Sequence, residues 1–197
     1  KTIHINEQFK EDWNRVLNHI ANLFYEDSVI QFTKDGANMS ISFEHGIADD
    51  YTISTAAKLI VDGQEFTSSY SIGYATEGTE KEQSIRMKRA LSHVMLDVLE
   101  QYTGMTQQWG ILTGVRPTKL YHKFRKEGLS EEQIFEKLKT DFRLSDLKIN
   151  LLKEIVARQL HVIPDLDELG REISIYIGVP FCPRSEEHTS ELQSPCN

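Results

Sequence analysis

Two β-like runs, residues 51–61 and 65–74, meet at Asp62-Gly63. This junction constrains the fold more than any other feature. Asp-Gly between apolar-rich runs is a tight hairpin signal, because the turn needs positive φ at its centre and glycine supplies it without a Cβ clash. A chain that commits this much length to one hairpin must bury a face of it against something else. The material for that lies on both sides. Upstream, Phe9, Trp13, Val16, Leu17, Ile20, Leu23 and Phe24 recur at helical spacing over residues 8–25. Downstream, Thr79 is placed to cap a long helix over 80–102, with Ile85, Ala90, Val94, Leu96, Val98 and Leu99 as its apolar positions. Two shorter runs, 28–33 and 38–43, flank a turn at Lys34-Asp35-Gly36. One helix, four strands and a second helix predict an α+β N-terminal domain over 1–106, an antiparallel sheet with helices on one face.

From residue 107 to 170 the pattern turns helical. Arg116-Pro117-Thr118-Lys119 opens a helix, with Pro117 in the first turn, where a missing N–H costs least. Gly128 closes it. Ser130, with Glu132 and Gln133, starts the next, and Ile134, Leu138 and Phe142 form its apolar face. Ser145 caps a third, carrying Ile149, Leu152, Ile155, Val156 and Leu160, and Pro164 ends it. Residues 173–179 then alternate as a strand and stop at Pro180-Phe181-Cys182-Pro183.

Composition narrows the function classes. The formal net charge is -8, a poor balance for a nucleic-acid surface, which leans on Lys and Arg at phosphates. No apolar run approaches the ~18 residues of a membrane span, so no membrane partner is expected. Two cysteines in 197 residues make no disulfide framework, and a cytoplasmic location is the expectation. The seven histidines show no metal-binding spacing, and no Ser/His/Asp set or phosphate-binding glycine loop is evident.

Two stretches carry a family resemblance. SIYIGVPFCP, residues 174–183, resembles the first barrel strand of the radical S-adenosylmethionine enzymes of the oxygen-independent coproporphyrinogen III oxidase family. In that family a Y-x-x-x-P-F-C-P strand leads into C-x-x-x-C-x-x-C. WGILTGVRPTKLYHKF, residues 109–124, resembles the longer coproporphyrinogen dehydrogenase-like branch of Bacillus-type bacteria, as does the run 154–160. The resemblance implies that residues 171–183 are the first strand and cluster-loop start of a truncated radical SAM (β/α) barrel. It also implies a [4Fe–4S] cluster and S-adenosylmethionine as cofactors, a tetrapyrrole substrate, a reductant, and oxidative decarboxylation of propionates to vinyl groups. Such chemistry belongs to the cofactors, while the protein supplies ligation, orientation and water exclusion.

Carried over residue by residue, the resemblance makes Cys182 the first cluster ligand and Tyr176 a contact of S-adenosylmethionine. A buried thiol at a strand end and a core aromatic are the plain alternatives. Tyr176, Gly178 and Pro180 share one strand face. The second and third cluster cysteines would fall at 186 and 189, where the chain has Glu186 and Thr189. Cys196 is at the wrong spacing. Cluster ligation rests on thiolates, so the sequence as it stands does not complete the site.

The segment after Pro183 accounts for that departure. RSEEHTSELQS, residues 184–194, resembles the conceptual translation of a short-read sequencing adapter. On that resemblance 184–197 is an assembly artefact without a fold, and a natural disordered tail is the alternative. Arg116 and Lys119 offer a separate candidate. They are three residues apart at a helix N-terminus, where N–H groups and the dipole favour an anion. The competing reading has Arg116 pairing with a local acid to fix packing.

The leading function is an enzyme fragment, the N-terminal part of a radical SAM coproporphyrinogen dehydrogenase that is inactive as this chain. A haem-binding or haem-inserting relative of the same family and a free-standing α+β binding module are the alternatives.

Overall fold

The computed structural model describes residues 1–164 apart from Asp35, Asn38, Gly114 and Val115. Ten elements follow in order: β1 Thr2–Ile5, α1 Glu11–Asn22, β2 Val29–Gln31, β3 Met39–Ile47, β4 Ile53–Val61, β5 Gln64–Ile72, α2 Glu80–Thr103, α3 Pro117–Lys126, α4 Glu131–Phe142 and α5 Asp146–Val162. The described residues up to 158 form one compact unit.

The strands make one five-stranded sheet in the order β2-β1-β3-β4-β5. The expected hairpin is present: β4 and β5 pair antiparallel with Val61 opposite Gln64, and Asp62 (φ 50) and Gly63 (φ 77) turn the chain. Positive φ at both central residues is the geometry whose twist matches the flanking strands.

The sheet is mixed, which corrects the antiparallel expectation. A fifth strand, β1, lies between β2 and β3 and runs parallel to both. The runs at 28–33 and 38–43 therefore do not pair with one another across the turn at 34–36. They sit on opposite sides of β1, and α1 provides the crossover from β1 to β2 that parallel pairing requires. Ile3 and Ile5 are fully buried, and His4 is buried beside Ser40, whose hydroxyl lies 2.8 Å from His4 Nδ1. Four residues give too short an alternation to announce a strand by period alone.

One core joins the sheet to α1 and α2. Ile41, Phe43, Ile53, Ala57 and Leu59 from the sheet meet Leu17 and Ile20 of α1 and Leu91, Val94, Met95, Val98 and Leu99 of α2. Trp13 Nε1 donates to Ser84 Oγ at 3.0 Å and ties the two helices. Thr79 and Glu82 form a reciprocal capping box at the start of α2, and Gly104 (φ 69) ends it. Ser130 and Gln133 do the same at the start of α4. Pro117 occupies the first turn of α3, and Ser145 Oγ accepts from Lys148 N before α5. The three helices of this section thus start where the sequence indicated. The expected strand 173–179 and the expected artefact 184–197 lie outside the described residues.

Candidate functional site

The two residues assigned by resemblance to cofactor chemistry, Tyr176 and Cys182, lie outside the described residues. What can be tested is the donor chemistry of the whole chain. A [4Fe–4S] cluster of this class rests on three thiolates. The chain has two cysteines, Cys182 and Cys196. Among the described residues no group of three or more His, Cys, Asp or Glu side chains could hold a metal ion. The residues present do not fit the cluster.

Arg116 and Lys119 are both exposed, at the first turn of α3. Arg116 is the N-cap and its side chain makes no capping bond; its carbonyl accepts from Lys119 N at 3.0 Å. Neither side chain is ion-paired with an acidic side chain among the described residues. The helix terminus presents two cations to solvent, an arrangement open to a carboxylate but one that encloses nothing.

The densest polar constellation lies elsewhere, where the end of α4 meets α2. Arg143 follows α4 in the left-handed conformation (φ 58). That conformation costs a non-glycine residue roughly 1–2 kcal/mol. Its guanidinium offsets the cost. Nη2 donates to Glu100 Oε2 at 2.7 Å and to Asp97 Oδ1 at 3.1 Å, and Nη1 to the His93 carbonyl at 3.2 Å. Arg89 of α2 donates to Asp141 Oδ2 at 3.2 Å and lies over the Phe142 ring, 4.5 Å from its centroid. Lys137 also pairs with Asp141, at 3.1 Å.

His93 sits inside this junction, 5% exposed. Its ring stacks on Tyr70 of β5 with centroids 4.1 Å apart and planes 17° apart. Its Nε2 lies 2.9 Å from the Asp141 carbonyl oxygen. A carbonyl only accepts, so Nε2 carries the proton. Burial pushes the imidazole below its ordinary range. The Asp141 hydrogen bond opposes this, while nearby Arg143 and Arg89 reinforce it.

The WGILTG stretch buttresses the same junction. Gly110 (φ 54) lies so close to the end of α4 that a Cβ there would come within 2.1 Å of the Phe142 carbonyl oxygen. Ile111 N donates to that oxygen at 3.0 Å, and Ser145 N donates to the Gln108 carbonyl at 3.0 Å. Lys148 Nζ lies 5.2 Å from the Trp109 ring centroid. Trp109-Gly110 therefore has a packing role here: it seats the α4–α5 corner. Sequence reasoning missed His93, Arg143 and this role of Gly110. The signal for His93 was a polar ring inside the otherwise apolar run Leu91–Leu96, interrupted only by Ser92 and His93. For Arg143 and Gly110 no local signal exists, because their partners are 30 to 50 positions away in sequence.

The fold is an open α+β sandwich of a mixed sheet and two helices, extended by a helical section. No protein-family model matches the chain. The chain is 42% identical over 172 residues to the oxygen-independent coproporphyrinogen-III oxidase-like protein HemZ of Bacillus subtilis (strain 168), a match covering 86% of this chain and 34% of the relative. The resemblance read from the sequence is shown by this match. The chain spans about a third of the length of that relative. No solved structure matches. Among the described residues no helix is long and apolar enough to cross a membrane.

Proposed function

We propose that this chain is the N-terminal portion of a radical S-adenosylmethionine coproporphyrinogen dehydrogenase. In the whole protein, residues 1–164 form an α+β and helical section preceding a catalytic barrel whose first strand is 173–179. The observation that carries this reading is the 42% identity over 86% of the chain to a coproporphyrinogen-III oxidase-like protein. Cys182 then supplies one thiolate to a [4Fe–4S] cluster, and Tyr176 lies beside S-adenosylmethionine. The substrate is a tetrapyrrole carrying propionates, and a reductant supplies electrons. Because two cysteines do not complete the ligand set, the 197-residue chain is itself inactive.

The test uses two proteins. The chain as it stands, reconstituted anaerobically with iron and sulfide, should hold no stoichiometric cluster. The chain continued through a complete barrel should hold one and cleave S-adenosylmethionine under reducing conditions, and Cys182→Ala in that protein should abolish both. Stoichiometric iron and sulfide in the short chain, or undiminished cleavage by the Cys182→Ala variant, would overturn the assignment. The relative is an oxidase-like protein rather than a named oxidase, which keeps a haem-handling role as the second reading. Vinyl product from coproporphyrinogen favours the dehydrogenase. Haem binding without turnover favours the alternative.

A further inference from the structure

We propose that His93 is a pH-sensitive latch that holds the end of α4 against α2 in its neutral form and releases it on protonation. The inference rests on the junction's geometry and does not depend on the catalytic reading above.

The latch has two holding contacts, one on the face of the ring and one at its edge. One face of the imidazole stacks on Tyr70 of β5, and Nε2–H donates to the Asp141 carbonyl in the last turn of α4. The ring therefore links sheet, α2 and α4 at one point. The charged groups around it come from each element. Arg89 and Asp97 are on α2, as is Glu100 beyond Arg143; Asp141 and Lys137 are on α4, and Arg143 follows it. Asp141 already serves two cations, Arg89 and Lys137, and Arg143 is engaged by Asp97 and Glu100. None of these three carboxylates is left uncommitted for an imidazolium. A proton added at Nδ1 would put a third positive charge beside two arginines in a site that is 5% exposed. A buried charge without a dedicated partner is costly, and moving the covering element away is the direct way to solvate it. A cavity of about 230 Å³ lined by Ser68, Tyr70, His93, Asp97, Thr140 and Arg143 adjoins the ring, so a small displacement of the end of α4 suffices to open it to water.

The sign follows from the direction of the shift. In the docked state the imidazole titrates below its ordinary value of 6.5; in the released state it returns towards that value. The released state therefore binds more protons at mildly acidic pH. Docking is fully favoured above about pH 6.5 and weakens as pH falls through the docked-state pKa. At one pH unit below 6.5 the weakening from this single group is capped at about tenfold.

Amide hydrogen exchange on the full chain, corrected for the intrinsic pH dependence of exchange, reads this directly. Between about pH 7.5 and about pH 5.5, protection should fall several-fold, and by no more than about tenfold, in the last two turns of α4 and at Ile111. Protection in β3 and β4 should change little. His93→Gln keeps a donor for the Asp141 carbonyl and cannot take up a proton, so its α4 protection should be flat over the same window. If that variant does not fold, the wild-type His93 ring can be followed by NMR, where its titration midpoint should lie below 6.5 and coincide with the loss of α4 protection. Three results would overturn the proposal. They are unchanged α4 protection while His93 titrates, a uniform loss across sheet and helices, and an unaltered pH response in His93→Gln.

Discussion

Three backbone atoms, the carbonyl oxygens of Phe142 and Arg143 and the carbonyl carbon of Arg143, decide the position of Gly110. The residue after Trp109 needs a positive φ and no side chain, because the Phe142 carbonyl occupies the space a Cβ would take. The clash is with backbone, which cannot rotate away as a flexible side chain can. Gly110→Ala should therefore destabilise the chain by about 2–4 kcal/mol, well beyond the ordinary cost of alanine at a left-handed position. Urea unfolding measures it, and a change below about 0.5 kcal/mol would show that the α4–α5 corner yields freely. Gly63 is the contrasting case. It also has positive φ, but nothing lies within 4 Å of a Cβ there, so only the backbone preference is at stake. Arg143 shows the converse, a non-glycine residue held left-handed because its guanidinium reaches three acceptors on α2.

At the scale of elements, the helices were legible and the sheet order was not. The caps are local chemistry. Thr79 Oγ1 accepts from Glu82 N at 3.3 Å, and the Glu82 carboxylate accepts from Thr79 N at 2.7 Å, which holds that carboxyl below its usual range. Thr79→Ala should cost about 1 kcal/mol, and Ser130→Ala about the same, with Thr79→Asp and Ser130→Asp close to neutral. Thermal unfolding of the four variants checks this, and equal losses for alanine and aspartate would deny the caps a role. The expected hairpin 51–61 and 65–74 forms as β4–β5, trimmed at its outer ends. The expectation of an all-antiparallel sheet fails because strand order is non-local. β1 inserts between β2 and β3, and its Ile3 and Ile5 complete the core under α1 and α2.

For the whole molecule, the anion reading of Arg116 and Lys119 is the one to test. Both are exposed on the first turn of α3. If they receive a substrate carboxylate in the complete enzyme, Arg116→Ala should raise the tetrapyrrole KM severalfold, in line with about 1–2 kcal/mol for a charge-assisted contact, and leave the melting temperature within a degree or two. If Arg116 serves packing, the melting temperature should fall while KM per folded molecule stays constant. Exposure of the guanidinium makes an unchanged melting temperature the expected result, and the KM then decides whether the pair receives a carboxylate. Surface cations outside a packed network contribute little to stability.

By itself the sequence determined what is local: where helices begin and end, where the tight hairpin turns, and which short stretches resemble a radical SAM enzyme. Those features depend on residues within a few positions of one another, so capping, φ preference and period reveal them. It also showed that two cysteines cannot complete a three-thiolate site, because that is a matter of counting donors. Only the tertiary structure decided that β1 is an inner strand, that Trp109-Gly110 seats the α4–α5 corner, and that His93 lies among Tyr70, Asp141 and two arginines. The partners in each case are tens of residues apart. Packing brings them together, and no property of the residues taken one at a time encodes which distant neighbour they will meet.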